Sequence, residues 1–249
     1  MTPNKWLRVA ALLLAPAPAA LPADTVRVFY FGNSLTANTM PAWHAELGAS
    51  AGKQWKVAWL TGAGAPIWSL RERLLASPEK LEEFRVQPWD AMTLQPFGWW
   101  GLEREENGAE RGDIHNASEM IRLFLDAHPR GRVYIYVNWP SMEAVLTGKG
   151  KEEREYPDRG AFDYHAQWLK KYDPEARAKG ATHRTRDYAW RLFEALRTRF
   201  PELDRERRLR MIPSGDVFFE LNKRMRAGRF PGVRDIEDFY TDVQHIRSG

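Results

Sequence analysis

Cysteine is absent from the 249 residues, which excludes disulfides, thiolate zinc sites, iron–sulfur clusters and a cysteine nucleophile together. Any covalent catalysis must use another nucleophile. A large charge excess is missing as well: 37 Lys and Arg stand against 33 Asp and Glu, leaving +4. So small a remainder argues against a nucleic-acid partner, because a phosphate-reading surface needs basic residues clustered on one face. No apolar run in the chain reaches the ~20 residues that a helical membrane span requires. Internal repeats and linker-like stretches are also lacking, so one domain is expected. What is present is 43% hydrophobic and 12% aromatic residues, enough for one large globular domain with a real core.

The N-terminus reads as an address. Lys5 and Arg8 precede the apolar run Val9 to Leu14, and Ala15-Pro16-Ala17-Pro18-Ala19-Ala20-Leu21-Pro22-Ala23 supplies small residues where a signal peptidase cuts. Pro16 and Pro18 argue against a buried helix in this stretch. Residues 1–23 are therefore expected to form a secretory signal, cleaved after Ala19 or Ala23, with the protein secreted or periplasmic. No cysteine stands at the cleavage site, so lipid anchoring there is excluded.

Along the rest of the chain, apolar runs of strand length alternate with segments of helical spacing. Val26 to Phe31, Lys56 to Leu60, Asp90 to Leu94, Arg132 to Val137 and Leu209 to Ile212 predict five strands, each closed by Gly, Pro, Asn or Gln. Helices are predicted over Met40 to Ala51, from Ile67 toward Ser77-Pro78, over Ala117 to Ala127 and over Arg186 to Phe200. Gly98 to Asn116 and the charged stretch Gly148 to Arg159 read as surface loops. Strand–helix alternation of this kind predicts an α/β fold with a mostly parallel sheet covered on both faces. Ligands in such folds bind at the carboxyl ends of the strands, where the loops at Ser34, Gly64, Gln95 and Asn138 fall.

Two segments carry chemistry. Gly32-Asn33-Ser34-Leu35-Thr36 puts a serine in the turn between a strand and a helix, exposed at the sheet rim with helix N-terminal amides nearby. The same residues also make a good helix cap, which leaves a purely structural role open. At the other end, Asp242-Val243-Gln244-His245 sets a carboxylate three residues before an imidazole. On a turn, Asp242 can accept the proton on His245 Nδ1 and leave Nε2 facing a hydroxyl, which is the pair a serine nucleophile requires. Such a pair also arises by chance on helix surfaces.

Together these segments resemble the first and last blocks of the SGNH (GDSL-like) hydrolases, the first in its Gly-Asn-Ser variant. The resemblance implies a flavodoxin-like three-layer α/β/α sandwich in which Ser34 is nucleophile, His245 general base and acid, and Asp242 the orienting carboxylate. It implies an oxyanion hole built from the Ser34 amide, Gly64 (with Gly62 as substitute) and, where most members carry Asn, the side chain of Gln95. Asn33, Trp99, Trp100 and Trp139 are expected to line the substrate site, while Trp43, Trp55, Trp59, Trp68 and Trp190 read as core. The mechanism requires no metal and no cofactor, and His44, His115, His128, His165 and His183 show no ligand spacing. Family members carry a helix after the histidine block that this chain, ending at Gly249, is expected to lack. The function so implied is secreted hydrolysis of short-chain esters, acetyl groups on carbohydrate first. A non-catalytic carbohydrate binder on the same fold and a lipase- or thioesterase-like member are the alternatives.

Overall fold

The computed structural model describes residues 25–96, 101–103, 105–106, 109–110, 112–142, 162–175, 184–233, 235–241 and 245. The expected signal segment, residues 1–23, and the charged stretch from Gly148 to Arg159 lie outside them.

In chain order, β1 (Thr25–Gly32) leads through α1 (Ser34–Asn38) and α2 (Pro41–Ser50) to β2 (Gln54–Thr61). Then α3 (Ile67–Ala76) and α4 (Pro78–Val86) lead to β3 (Ala91–Leu94). A short antiparallel pair, β4 (Glu105–Glu106) and β5 (Ala109–Glu110), precedes α5 (Asp113–Ala127) and β6 (Arg132–Tyr136). The remainder comprises α6 (Tyr164–Trp168), α7 (Arg186–Arg199), α8 (Pro201–Arg205), β7 (Leu209–Ile212), α9 (Ser214–Arg226) and a 3-10 turn, Ile236–Phe239.

The central sheet runs β2-β1-β3-β6-β7 with every neighbouring pair parallel. Counted within that sheet, the order is 2-1-3-4-5, that of flavodoxin-like doubly wound folds, whose strand order reverses between the first and third strands. Alternation along β1 explains the layering. Phe29 and Phe31 point into one cluster with Ile67, Leu74, Phe84, Phe124 and Leu192, whereas Val28 and Tyr30 pack on the other face with Trp55 and Val57. Phe84 is the hinge of the larger cluster, meeting Phe29 edge-on at 5.2 Å and Phe124 at 5.9 Å. A third cluster gathers beyond the carboxyl ends of the strands around Val137, Tyr164, Trp168 and Met225.

All five predicted strands form, and the three-layer sandwich is the fold. The helices differ more. The helix expected over Met40 to Ala51 forms as α2, preceded by the short α1 that the sequence pattern did not show, with Met40 at φ 51 separating the two. Its apolar pattern does not face the core: Trp43 is 44% and Leu47 66% exposed. Trp59 and Trp190 are likewise more than two-fifths exposed, so three of the five rings read as core are surface rings. Ser77 ends α3 and caps α4 by accepting the Lys80 amide, with Pro78 at the first helical position. The mostly charged sequence of α4 hid that second helix.

The second face of the sheet holds a titrating pair. Tyr30 Oη lies 2.9 Å from His44 Nδ1. Burial pushes the phenol up to about 12 and holds the imidazole below its usual range, a backbone bond with Thr39 only partly offsetting this. An imidazole depressed on folding contributes stability that is present above its unfolded pKa of ~6.5 and lost as pH falls below it. The melting temperature is accordingly expected to drop from pH 7.5 to pH 5, and a His44→Gln variant, followed by circular dichroism, is expected to show a shallower drop. In urea denaturation, Phe84→Ala is expected to cost ~3–5 kcal/mol, against less than ~0.5 kcal/mol for Leu47→Ala on the exposed face of α2.

Candidate active site

The strand-order reversal falls between β1 and β3, and the segments leaving these two strands are Asn33-Ser34 and Gln95-Pro96. They are locked to each other. Gln95 is wholly buried, its backbone amide donating to Phe31 O at 3.0 Å. Its Oε1 accepts from the Asn33 amide at 3.1 Å, the Thr36 amide at 3.0 Å and the Thr36 hydroxyl at 2.5 Å. Its Nε2 donates to Asn33 Oδ1 at 2.8 Å, and that oxygen also caps α1 by accepting the Leu35 amide at 2.9 Å. Only glycine permits this closure at position 32: a Cβ there would fall 1.9 Å from Thr36 Oγ1 and 2.6 Å from Gln95 Oε1.

The lattice leaves one amide over. Of the four consecutive N–H groups from Asn33 to Thr36, those of Asn33, Leu35 and Thr36 are taken, while that of Ser34 has no partner among the described residues. The Ser34 hydroxyl, half-buried at the first position of α1, has none either. Across β1, the Gly62 amide donates to Gly32 O at 3.2 Å and is thus committed. Gly64, exposed at φ 61, has an amide with no partner among the described residues. The turns after β1 and β2 thus each present one uncommitted backbone donor, at Ser34 and at Gly64.

Gln95 and Asn33 are buried instead. Gln95 was expected to donate to the oxyanion, but its side chain is wholly buried, with Oε1 on the turn and one Nε2 hydrogen on Asn33 Oδ1. It shapes the turn. Asn33, expected to meet substrate, is equally buried, and its Nδ2 has no partner among the described residues. An unsatisfied buried donor costs ~1–3 kcal/mol and tends to be retained at functional sites. Trp139, also expected at the substrate, is 4% exposed and packs edge-on against Phe218 at 5.5 Å, which makes it a core ring. Trp99, Trp100 and Asp242 lie outside the described residues.

His245 is half-buried and reached through an anchored segment. Asp235 caps the 3-10 turn by accepting the Glu237 amide at 3.1 Å, and Glu237 accepts the Phe162 amide at 3.0 Å. Tyr240 then drives its ring into the cluster beyond the strand ends and donates its hydroxyl to Pro140 O at 2.8 Å; burial holds that phenol far above its ordinary range. The Thr241 amide and hydroxyl both donate to His245 O, at 2.8 and 3.2 Å. Leu35, the neighbour of Ser34, is buried in the same cluster as Tyr240. Residues next to Ser34 and just before position 242 thus share one apolar cluster.

The other described histidines serve structure where their partners are seen: His128 is buried with Nε2 2.8 Å from Phe84 O, and His165 lies 3.2 Å from Phe219 O. No group of three metal-ligating side chains occurs among the described residues. Sequence reasoning missed the structural work of Gln95 and Thr36; the signal available was a lone amide directly after a short strand with a single polar residue, Thr93. Gln95→Ala is expected to cost ~2–5 kcal/mol in urea denaturation, because two buried backbone amides lose their acceptor at once. Thr36→Val, which removes one of three donors, should cost about 1 kcal/mol.

No family model and no curated protein matches the chain. Solved structures do. A DUF4886 family protein from Bacteroides uniformis shares 12% identity at a TM-score of 0.51, over 90% of this chain and 77% of its own. The acetyl xylan esterase AlAXEase shares 12% identity at a TM-score of 0.50, over 89% of this chain and 92% of its own. A lipase/acylhydrolase from Enterococcus faecalis shares 14% identity over 89% and 87% of the two chains, at a TM-score of 0.45. The parallel sheet in its order β2-β1-β3-β6-β7, with Ser34 leaving its first strand, is the SGNH-hydrolase fold.

Proposed function

We propose that the protein is a serine ester hydrolase acting on short acyl groups, acetyl first, carried by carbohydrate. The observation that carries this reading is the Ser34 turn, where a fixed lattice occupies every neighbouring amide and leaves that of Ser34 uncommitted. A helix-capping serine would need no such arrangement. In the proposed reaction Ser34 Oγ attacks the ester carbonyl while its proton passes to His245, oriented by Asp242. The Ser34 and Gly64 amides hold the oxyanion, the alcohol leaves with the proton from His245, and water attacks the acyl-serine with His245 again as base. No step calls on a metal or a cofactor.

Two observations support the acetyl and carbohydrate parts. The fold is shared with an acetyl xylan esterase, and the sequence sets Trp99 and Trp100 four and five residues after Gln95, aromatic side chains of the kind that stack on sugar rings. Export follows from residues 1–23. Among the described residues no helix is long and apolar enough to cross a membrane.

The test is p-nitrophenyl acetate hydrolysis by the full chain beside Ser34→Ala, both checked for folding by circular dichroism. Ser34→Ala is expected to lose at least ~10³-fold in rate, and rates should fall steeply as the acyl chain lengthens. Equal rates in two folded proteins would put a carbohydrate-binding protein in place of the esterase. A preference for long chains would move the substrate to lipid.

A further inference from the structure

The pole of the sheet opposite Ser34, where β1, β3 and β6 begin, holds an open depression of about 1060 Å3. Its walls carry Arg130, Arg132, Arg207, Arg208 and Arg210 but only two carboxylates, Asp90 and Glu206. Both carboxylates are already engaged, Asp90 by Arg27 at 3.7 Å and Glu206 by Arg208 at 2.7 Å. Arg130, Arg132 and Arg207 are exposed and have no acidic partner among the described residues, while Arg210 donates its Nε to the Arg207 carbonyl at 3.0 Å and feels Asp204, which Arg197 already pairs with. Four like charges around one concavity repel one another, and a chain of net charge +4 does not need to gather them there. Arg207 moreover holds φ 58, a left-handed conformation that glycine would adopt more easily.

We propose that this depression is a second binding site, for a carboxylated oligosaccharide of the uronate type. Guanidinium groups pair with planar carboxylates through two parallel hydrogen bonds, and several of them set around one cavity match a ligand with repeated carboxylates. The volume is that of a small-ligand cleft. Concavity disfavours a flat bilayer, which would meet the rim and leave the walls unoccupied. Asp90 and Glu206 on the same walls, though paired with arginines, keep oxygen lone pairs that can accept sugar hydroxyls. The half-buried ring of Tyr134 adds an apolar surface. This site makes no use of Ser34, so binding there can be read without turnover and stands or falls apart from the esterase.

Calorimetric titration of the full-length protein at low ionic strength with oligogalacturonate, beside its methyl-esterified and hence neutral form, tests the proposal. Saturable binding of the acidic form is expected, about tenfold or more tighter than that of the ester and weakening with salt. The double variant Arg130→Gln with Arg132→Gln should lose about tenfold in affinity at unchanged melting temperature. Arg207→Gly removes a charge while suiting the backbone, so it should weaken binding with the melting temperature equal or higher, and it keeps the test valid if the double variant misfolds. Absent binding, equal affinity for the neutral ester or wild-type affinity in folded variants overturns the proposal. So does tighter binding of single-stranded DNA or phosphatidylglycerol vesicles that the same substitutions abolish.

Discussion

Everything at the candidate site depends on one buried side-chain amide. Gln95 Oε1 receives three hydrogen bonds from the turn that leaves β1, and its Nε2 returns one to Asn33. Two buried amides without partners would be expensive, so the pair tolerates little besides the observed geometry. That geometry ties the carboxyl ends of β1 and β3, dictates glycine at position 32 and brings out Ser34 with its own amide uncommitted. A helix as short as α1 could not hold such a turn unaided, since isolated helices of this length do not persist in water.

The apolar cluster beyond the strand ends does for the two termini what the amide lattice does for the turn. Leu35 enters it from one side and Tyr240 from the other, with Tyr240 tied to the end of β6 through Pro140. Burial of large rings, here Tyr164 and Trp168 with Tyr240, supplies the driving force, and hydrogen bonds at its edge set direction. Thr241, next to this anchor, donates its amide to the His245 carbonyl.

Charge is distributed by a different rule. The sequence total is nearly balanced, and several ion pairs among the described residues are local, as between Arg197 and Glu194 or Arg191 and Asp187. Residues 130, 132, 207 and 210 are separated by more than seventy positions across the middle of that set, yet the parallel arrangement of β6 and β7 brings them to one rim. Composition averages such a cluster away, which is why a weak overall charge concealed a concentrated local one.

Much of the fold was legible because buried parallel strands read as short apolar runs closed by Gly, Pro, Asn or Gln, and all five did so. The helices were less legible: α4 is mostly charged, and α2 carries apolar residues that face solvent. The places of Ser34 and Gly64 after β1 and β2 were legible, whereas the surroundings of Gln95, Asn33 and Trp139 were not, because a residue's position after a strand does not say whether its side chain turns outward or under the loop. By itself the sequence determined the strand set, the α/β class and the serine-bearing turn, since these follow from local apolar patterning and the conformational demands of Gly-Asn-Ser. Only the tertiary structure decided which amides are spent inside the lattice, which aromatic rings are buried and which arginines share a rim, because each depends on partners that lie far apart along the chain.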